Sequence, residues 1–186
     1  MKTHTNMDET KDIYLDFDGV LNTEKYQAEL MASGKIGWDE FGQLFDPEAV
    51  TNLKMILDAA PNALIVISSS WKMEGLNRLR EMWIERGLPG TIHSTTPDYV
   101  PDLSQIDLSN HDNLVLLAGK GYEIKAWLAK NASAECCYVI FDDVPGFLPE
   151  QNKHLIVTNP SVGISYDDAI AARKLLCPNA YPVCLV

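Results

Sequence analysis

Short apolar runs that alternate with amphipathic segments constrain the fold of this chain more than any other feature. Each run is almost wholly apolar and has the length of a buried strand. Strands that are apolar on both faces occur in parallel sheets that helices cover on both sides. The sequence therefore predicts an α/β fold, a three-layer, Rossmann-like, doubly wound parallel sheet. The predicted strands span residues 13–15, 63–67, 137–141 and 155–158.

Capping residues mark the ends of the helices between these strands. Asp46 followed by Pro47 is a typical helix start, because Asp accepts from free backbone amides and Pro fits the first helical position. Gly87 is a typical stop, and Ser165 with Asp168 resembles a capping box. Predicted helices cover about residues 23–31, 46–60, 73–86, 122–130 and 165–176, with a further short strand at 90–93 and a long loop at 95–113.

Length and composition favour one soluble domain. The chain has 186 residues, and we expect a polar tail at 1–11 and a single domain at 12–186. No apolar run could span a bilayer, and the N-terminus lacks the apolar core of a signal peptide, so we expect a cytoplasmic protein without a membrane partner. The cysteines lack metal-ligand spacing and are expected to be buried thiols. They are Cys136, Cys137, Cys177 and Cys184.

The charge of the chain bears on its partners. The formal net charge is −11, whereas a broad nucleic-acid surface needs clustered Lys and Arg. Nucleic acid is thus a disfavoured partner, although one small basic pocket could still bind a single phosphate. The oligomeric state does not follow from the sequence.

Two carboxylates follow the first predicted strand directly. Asp16 and Asp18 are two residues apart, so in an extended backbone their side chains point the same way. Gly19 then allows a sharp turn. Adjacent carboxylates repel each other unless a cation or a shared proton compensates. Mg²⁺ prefers oxygen ligands and keeps several waters, which leaves room for a phosphate.

Polar groups also follow two further strands. Residues 68–70 are three serines after the second strand, and Asp142 and Asp143 follow the third. In open parallel sheets, ligands bind beyond the carboxyl ends of the strands. We therefore expect these groups to lie along one edge of the sheet with Asp16 and Asp18.

These motifs resemble those of the haloacid dehalogenase (HAD) superfamily of phosphohydrolases. The run Asp16-Phe17-Asp18-Gly19-Val20-Leu21 resembles its first motif, and Asp142-Asp143 resembles its fourth. Ser69, with Ser68 as the alternative, resembles the second-motif hydroxyl that holds a phosphoryl oxygen. Lys120, with Lys125 as the alternative, resembles the third-motif lysine. The segments Ser69-Ser70-Trp71 and Asn159-Pro160 further resemble a subgroup of small HAD-like domains, some of which are associated with RNA repair.

The resemblance implies a Mg²⁺-dependent phosphatase that acts on a phosphate monoester through an aspartyl-phosphate. In it, Asp16 is the nucleophile and Asp18 the general acid and base. Ser69 and Lys120 stabilise the phosphoryl oxygens. Mg²⁺ is held by Asp16, by Asp18 through its backbone carbonyl, and by Asp143. Asp142 is either a further ligand or a residue that orients waters on the ion.

The interval between the first two strands bears on substrate choice. The interval between these strands also contains the predicted helix at 46–60, so only residues 22–45 remain for a short cap-like insertion. The resemblance therefore implies a HAD-like fold with minimal or no cap. Trp38, Phe41 and Phe45 could line the entrance or pack in the core. The phosphorylated substrate is of unknown class, and a phosphotransferase is not distinguished from a phosphatase. The alternatives are a polynucleotide-end (3′-phosphate) phosphatase and a non-catalytic HAD-fold binding protein.

Overall fold

A five-stranded parallel sheet forms the centre of the protein in a computed structural model, which describes residues 10–100, 119–132 and 136–178. Its spatial order is β5-β4-β1-β6-β7. A separate two-stranded antiparallel hairpin consists of β2 and β3. The strands are β1 (Lys11–Leu15), β2 (Trp38–Asp39), β3 (Gly42–Gln43), β4 (Leu64–Ile67), β5 (Ile92–Thr95), β6 (Cys137–Asp142) and β7 (Leu155–Val157).

Two helices begin where their capping residues predict, whereas the helix predicted at 122–130 begins two residues earlier, at Lys120. Asp46 accepts a hydrogen bond from the amide of Glu48, and Ser165 and Asp168 form a reciprocal capping box. The α-helices are α1 (Glu24–Ala32), α2 (Pro47–Ala59), α3 (Leu76–Glu85), α4 (Lys120–Asn131) and α5 (Tyr166–Leu176), and 3-10 helices occupy Ser70–Glu74 and Pro149–His154.

Apolar side chains cover the sheet on both faces, as predicted. On one face, alternate residues of β1 such as Ile13 and Leu15 pack against α2, α3 and α5. On the other face, Tyr14 packs against Ile124 and Trp127 of α4. The α/β, Rossmann-like parallel sheet expected from the sequence is therefore confirmed. None of the helices that the structure describes is both long enough and apolar enough to cross a membrane.

Some boundaries differ from the sequence prediction. The helix predicted at 73–86 is divided by Gly75, whose φ of +88° separates the 3-10 helix from α3. The strand predicted at 90–93 lies two residues further along, and β1 already includes Lys11 of the predicted tail. The thiols of Cys136, Cys137 and Cys177 are half-buried rather than buried. Residues 1–9, most of the predicted 95–113 loop, and Cys184 lie outside the described residues.

The segment between β1 and α2 contains α1 and the β2–β3 hairpin. Within it, Phe45 is buried in the core, Phe41 lies beneath the Arg78 guanidinium at 4.1 Å, and Trp38 is 60% exposed. Only Trp38 of the three aromatic residues is thus largely open to solvent. The function of this segment as a minimal cap stays a prediction.

Candidate active site

The candidate site lies where the direction of strand addition reverses. From β1 the chain moves outward to β4 and β5, then returns to add β6 and β7 on the other side. Loops therefore diverge beyond the carboxyl ends of β1 and β6, and open α/β sheets bind ligands at such a switch point. Asp16 follows β1, and Asp142 ends β6.

The sheet ladder continues far enough to align three polar side chains. The Asp16 amide donates to Phe141 O (3.1 Å), and the Ser68 amide donates to Leu15 O (2.9 Å). Because Leu15 is in register with both Ile67 and Phe141, the next residue along each strand forms a row of Ser68, Asp16 and Asp142. These side chains point to the face covered by α4.

Three carboxylates converge at this edge. Among the described residues, Asp16, Asp142 and Asp143 each offer an oxygen, and these oxygens lie within 4.8 Å of one another. Asp16 and Asp142 are only 5% and 1% exposed. The Lys120 ammonium bridges the two, with Nζ at 2.5 Å from Asp16 Oδ2 and at 2.6 Å from Asp142 Oδ2.

Burial and mutual charge shift the ionisation of this group. Burial raises the pKa of Asp142 to about 6, with the negative charge of Asp16 adding to the rise and Lys120 opposing it. Burial and the same charge also raise the pKa of Asp143. Burial lowers the pKa of Lys120, but the two carboxylates outweigh it, so the pKa is raised overall and the ammonium stays charged.

The first turn of α4 fixes the position of Lys120. The helix starts after Gly119, and Gly121 packs so closely on the loop after β6 that a Cβ there would lie 2.9 Å from Gln151 Oε1 and 3.1 Å from Leu148 N. Gln151 Nε2 also donates to Gly121 O at 2.8 Å. The alternative lysine, Lys125, is exposed and pairs with Glu150 at 3.2 Å. The structure thus brings Lys120, and not Lys125, to Asp16.

Asp18 lies apart from the carboxylate group. Its side chain is exposed, accepts from Asn22 Nδ2 (2.7 Å), and accepts from the Trp71 indole N–H (3.1 Å to Oδ2). The chain turns after β1, so the side chains of Asp16 and Asp18 do not remain parallel as in an extended strand. The expected ligand atom of Asp18 was its backbone carbonyl, and that expectation stays a prediction.

Gly19 permits the close approach of Asp143 to the turn after β1. Its φ is +69°, and a Cβ at this position would lie 2.7 Å from Asp143 Oδ2 and 2.8 Å from Asp143 Cβ. Any larger residue would force the Asp143 carboxylate out of its present position. The absence of a side chain at Gly19 therefore allows Asp143 to join the candidate cation site.

The serines after β4 have different environments. Both Ser68 and Ser69 are 2% exposed. Ser69 Oγ accepts from the Trp71 amide at 3.4 Å and caps the 3-10 helix. Ser68 Oγ has no hydrogen-bond partner among the described residues, and Ser68 belongs to the row that contains Asp16.

Sequence reasoning missed a buried ion pair beside Lys120. Lys72 Nζ lies 2.8 Å from Glu123 Oε1, and Glu123 Oε2 accepts from Thr96 Oγ1 at 3.0 Å. This network joins the segment after β4 to Glu123, which lies in the first turn of α4, three residues after Lys120. The roles of Asn22 and Trp71 at Asp18 were missed as well. Polar residues within two to four positions of a predicted site residue are the signal that could have found Asn22 and Lys72.

The donor set fits Mg²⁺. Three carboxylates at the ends of two neighbouring strands supply hard oxygen ligands around one point, and two of them are buried, which is costly without a cation. Lys120 compensates only part of their charge. The residues that could hold the ion are therefore Asp16, Asp142 and Asp143.

Comparison with known families agrees with this arrangement. The sequence profile of the family described as "HAD domain in Swiss Army Knife RNA repair proteins" matches residues 13–169. No curated protein and no solved structure matches the chain significantly. The match covers the five-stranded sheet apart from Lys11 and Asp12 of β1, and it includes every candidate site residue. The chain therefore belongs to the HAD domain family of Swiss Army Knife RNA repair proteins.

Proposed function

We propose that the domain is a Mg²⁺-dependent phosphatase that hydrolyses a phosphate monoester through an aspartyl-phosphate on Asp16. Membership of a HAD family supports phosphohydrolase-type activity in general. The observation that carries the finer proposal is the Asp16 carboxylate, which one lysine and two further carboxylates surround. Such a group can be both a ligand of a cation and a nucleophile.

In the first step, an Asp16 carboxylate oxygen forms a bond to phosphorus and the bond from phosphorus to the leaving oxygen breaks. The protonated carboxyl group of Asp18 gives its proton to that oxygen, so a neutral alcohol leaves. In the second step, Asp18 takes a proton from water as the water attacks phosphorus. The P–O bond to Asp16 breaks, which releases inorganic phosphate and restores the carboxylate. Transfer to another alcohol in place of water would make the protein a phosphotransferase.

The surrounding groups would stabilise the phosphoryl oxygens. Mg²⁺, when bound by Asp16, Asp142 and Asp143, supplies positive charge that reduces the repulsion between nucleophile and phosphate. The Lys120 ammonium adds a fixed donor beside Asp16. The buried, unpartnered hydroxyl of Ser68 supports Ser68 over Ser69 as the phosphate donor, because Ser69 already caps the 3-10 helix.

The test is a turnover assay with p-nitrophenyl phosphate and Mg²⁺. We expect Asp16→Asn to abolish phosphate release, because an amide is a poor nucleophile and a weak cation ligand. Asp167→Asn, on the exposed first turn of α5, is the matched control and should retain wild-type turnover. Turnover by Asp16→Asn would reject Asp16 as the nucleophile. Failure of the wild-type protein to bind Mg²⁺ or to turn over a broad phosphate-ester panel would favour a non-catalytic binding protein.

The serine assignment is tested in the same assay. Ser68→Ala should raise KM for the phosphate ester if Ser68 binds the phosphoryl group, whereas Ser69→Ala should chiefly lower stability through loss of a cap. Typical cap losses are about 1 kcal/mol. The reverse pattern would restore Ser69 to the phosphate-binding role.

A polynucleotide-end phosphatase is the second candidate. The description of the family, which names RNA repair proteins, favours it, and the net charge of −11 opposes it. Turnover of 3′-phosphorylated oligonucleotides, measured beside nucleotides and sugar phosphates, separates the two candidates.

A further inference from the structure

A cavity of about 350 Å³ opens beside the catalytic carboxylates. It lies between the turn after β1, helix α1 and the β2–β3 hairpin, and Asp18 and Asp143 line its inner end. Under the proposed function, Asp18 protonates the leaving oxygen, so the space beyond Asp18 receives the leaving group. Ligand pockets span about 300–1,000 Å³, and this cavity therefore has room for a small ring system.

The charge of the cavity is negative. Of the described residues that line it, Asp18, Glu24 and Asp143 carry carboxylates and none carries a positive charge. Glu24 lies outside the group of Asp16, Asp142 and Asp143 that would hold the ion, so its charge has no compensating cation among the described residues that line the cavity. Ser161 Oγ donates to Glu24 Oε2 at 2.5 Å and holds this carboxylate in place. A second phosphate on the leaving group would meet this charge with no cation beside it.

The remaining lining suits a neutral, hydrogen-bonding group. Gln27 and Gln43 bring side-chain amides to the lining. The side-chain donors of Asn22, Thr23 and Gln27 are already used within the protein, by Asp18, Asp46 and Leu44 O. Gln43 and the second carboxylate oxygen of Glu24 are therefore the lining groups that would bind hydroxyls of a ligand. Trp38 is the direct cross-strand partner of Gln43, so the two side chains lie on the same face of the hairpin. Trp38 does not line the cavity itself, but it is 60% exposed beside Gln43, which does. Its indole would offer a flat apolar surface to a ring that extends out of the cavity past Gln43.

We infer that this cavity selects a leaving group that is an uncharged, ring-bearing alcohol with several hydroxyls, such as a sugar or a nucleoside, and disfavours a second phosphate. Glu24 supplies the selection against negative charge, and Trp38 supplies the stacking surface. The inference rests on the proposed function, and it adds a substrate class to it.

The experiment compares kcat/KM for monophosphates and bisphosphates of the same alcohol. The pairs are ribose 5-phosphate with ribose 1,5-bisphosphate, and a nucleoside 5′-monophosphate with the 3′,5′-bisphosphate. We expect each monophosphate to be preferred about tenfold. Glu24→Gln should reduce this preference about threefold, since an exposed charge is partly screened. Glu29→Gln, which removes the same charge from an exposed position on α1, is the matched control and should leave the preference unchanged.

Salt and stacking give two further readouts. Raising the ionic strength from about 0.05 to 0.5 M should weaken the preference in the wild type but hardly in Glu24→Gln, because only the wild type carries the screened charge. Trp38→Ala should raise KM for the preferred monophosphate and leave kcat unchanged. A lower KM for the nucleotide identifies a nucleoside as the source of the ring, and a lower KM for ribose 5-phosphate identifies a sugar; either supports the inference.

Three results would overturn the inference while p-nitrophenyl phosphate is still hydrolysed: equal or faster turnover of the bisphosphates, equal effects of Glu24→Gln and Glu29→Gln, or a preference for phosphorylated oligonucleotides over the mononucleotide. If no substrate is hydrolysed, p-nitrophenyl phosphate included, the proposed function itself fails, and the inference fails with it.

Discussion

Replacing Gly19 with alanine tests the geometry of the candidate cation site directly. A Cβ at residue 19 would lie 2.7 Å from Asp143 Oδ2 and 2.8 Å from Asp143 Cβ and Cγ. Ordinary contacts between such atoms exceed 3.4 Å, so Asp143 must move by more than half an ångström. Protein metal sites tolerate changes of about 0.2 Å in ligand distance. Gly19→Ala should therefore weaken Mg²⁺ binding.

Gly34→Ala isolates this effect from backbone strain. Gly34 has a φ of +68°, close to the +69° of Gly19, but nothing lies within 4 Å of its hypothetical Cβ. Both variants place an L-residue in the left-handed region, which costs about 1–2 kcal/mol of stability. Only Gly19→Ala displaces a carboxylate of the site. The difference between the two variants therefore measures the displacement of Asp143 alone.

The assay is urea unfolding of both variants with and without Mg²⁺, together with calorimetric titration of Mg²⁺. Disturbing the groups around a metal typically costs 10- to 100-fold in affinity. A tenfold loss reduces the stabilisation by saturating Mg²⁺ by about 1.4 kcal/mol, and a 100-fold loss reduces it by about 2.7 kcal/mol. If Gly19→Ala gains as much stability from Mg²⁺ as Gly34→Ala does, Asp143 is not a ligand and the assignment of the site is wrong.

Three further predictions concern the groups around Asp16. Trp71→Phe removes the indole N–H that holds the Asp18 carboxylate. It should lower kcat about tenfold for an alkyl phosphate, because the leaving oxygen of that ester needs a proton, but much less for p-nitrophenyl phosphate. Equal losses of kcat for the two substrates would reject Asp18 as the acid. Lys120→Met leaves Asp16 and Asp142 without the ammonium that they share. Urea unfolding of the metal-free variant should show a loss of about 3 kcal/mol of stability, and added Mg²⁺ should stabilise the variant more than it stabilises the wild type. Equal stabilisation of the two proteins by Mg²⁺ would contradict this prediction. The pKa of Asp142 in the folded state is raised to about 6, so the folded protein binds one more proton than the unfolded chain between about pH 4 and 6. The free energy of unfolding of the metal-free protein should therefore fall as the pH rises over this interval, whereas the affinity for Mg²⁺ should rise. Asp142→Asn should flatten both pH profiles, measured by unfolding and by Mg²⁺ titration.

The sequence predicts the sheet well because its evidence is local. A run such as Ile13–Leu15 needs cover on both faces, and helix starts such as Asp46-Pro47 depend on adjacent residues. The edge that gathers Asp16, Asp142 and Asp143 follows from the same reasoning, since parallel strands end on the same side. Fold class and the place of the candidate site were therefore accessible without coordinates.

Contacts between distant segments were not accessible in this way. The hydrogen bond from Trp71 to Asp18 depends on how the 3-10 helix after β4 sits against the turn after β1. The Lys72–Glu123 pair depends on the rotation of α4 on the sheet. The choice between Ser68 and Ser69 depends on a single residue of register at the end of β4. No local pattern determines any of these.

Under the proposed function, the balance of charge explains how an acidic chain binds a phosphate at this site. Three carboxylates and the Lys120 ammonium leave a net charge of −2 when all are ionised. A divalent ion neutralises that charge, so the loaded site no longer repels a phosphate dianion, although the formal charge of the chain is −11. Without the ion, the net charge of −2 repels a phosphate, and the Lys120 ammonium stays paired with Asp16. Inorganic phosphate should therefore bind only when Mg²⁺ is present, and calorimetric binding of phosphate in excess chelator would contradict this account.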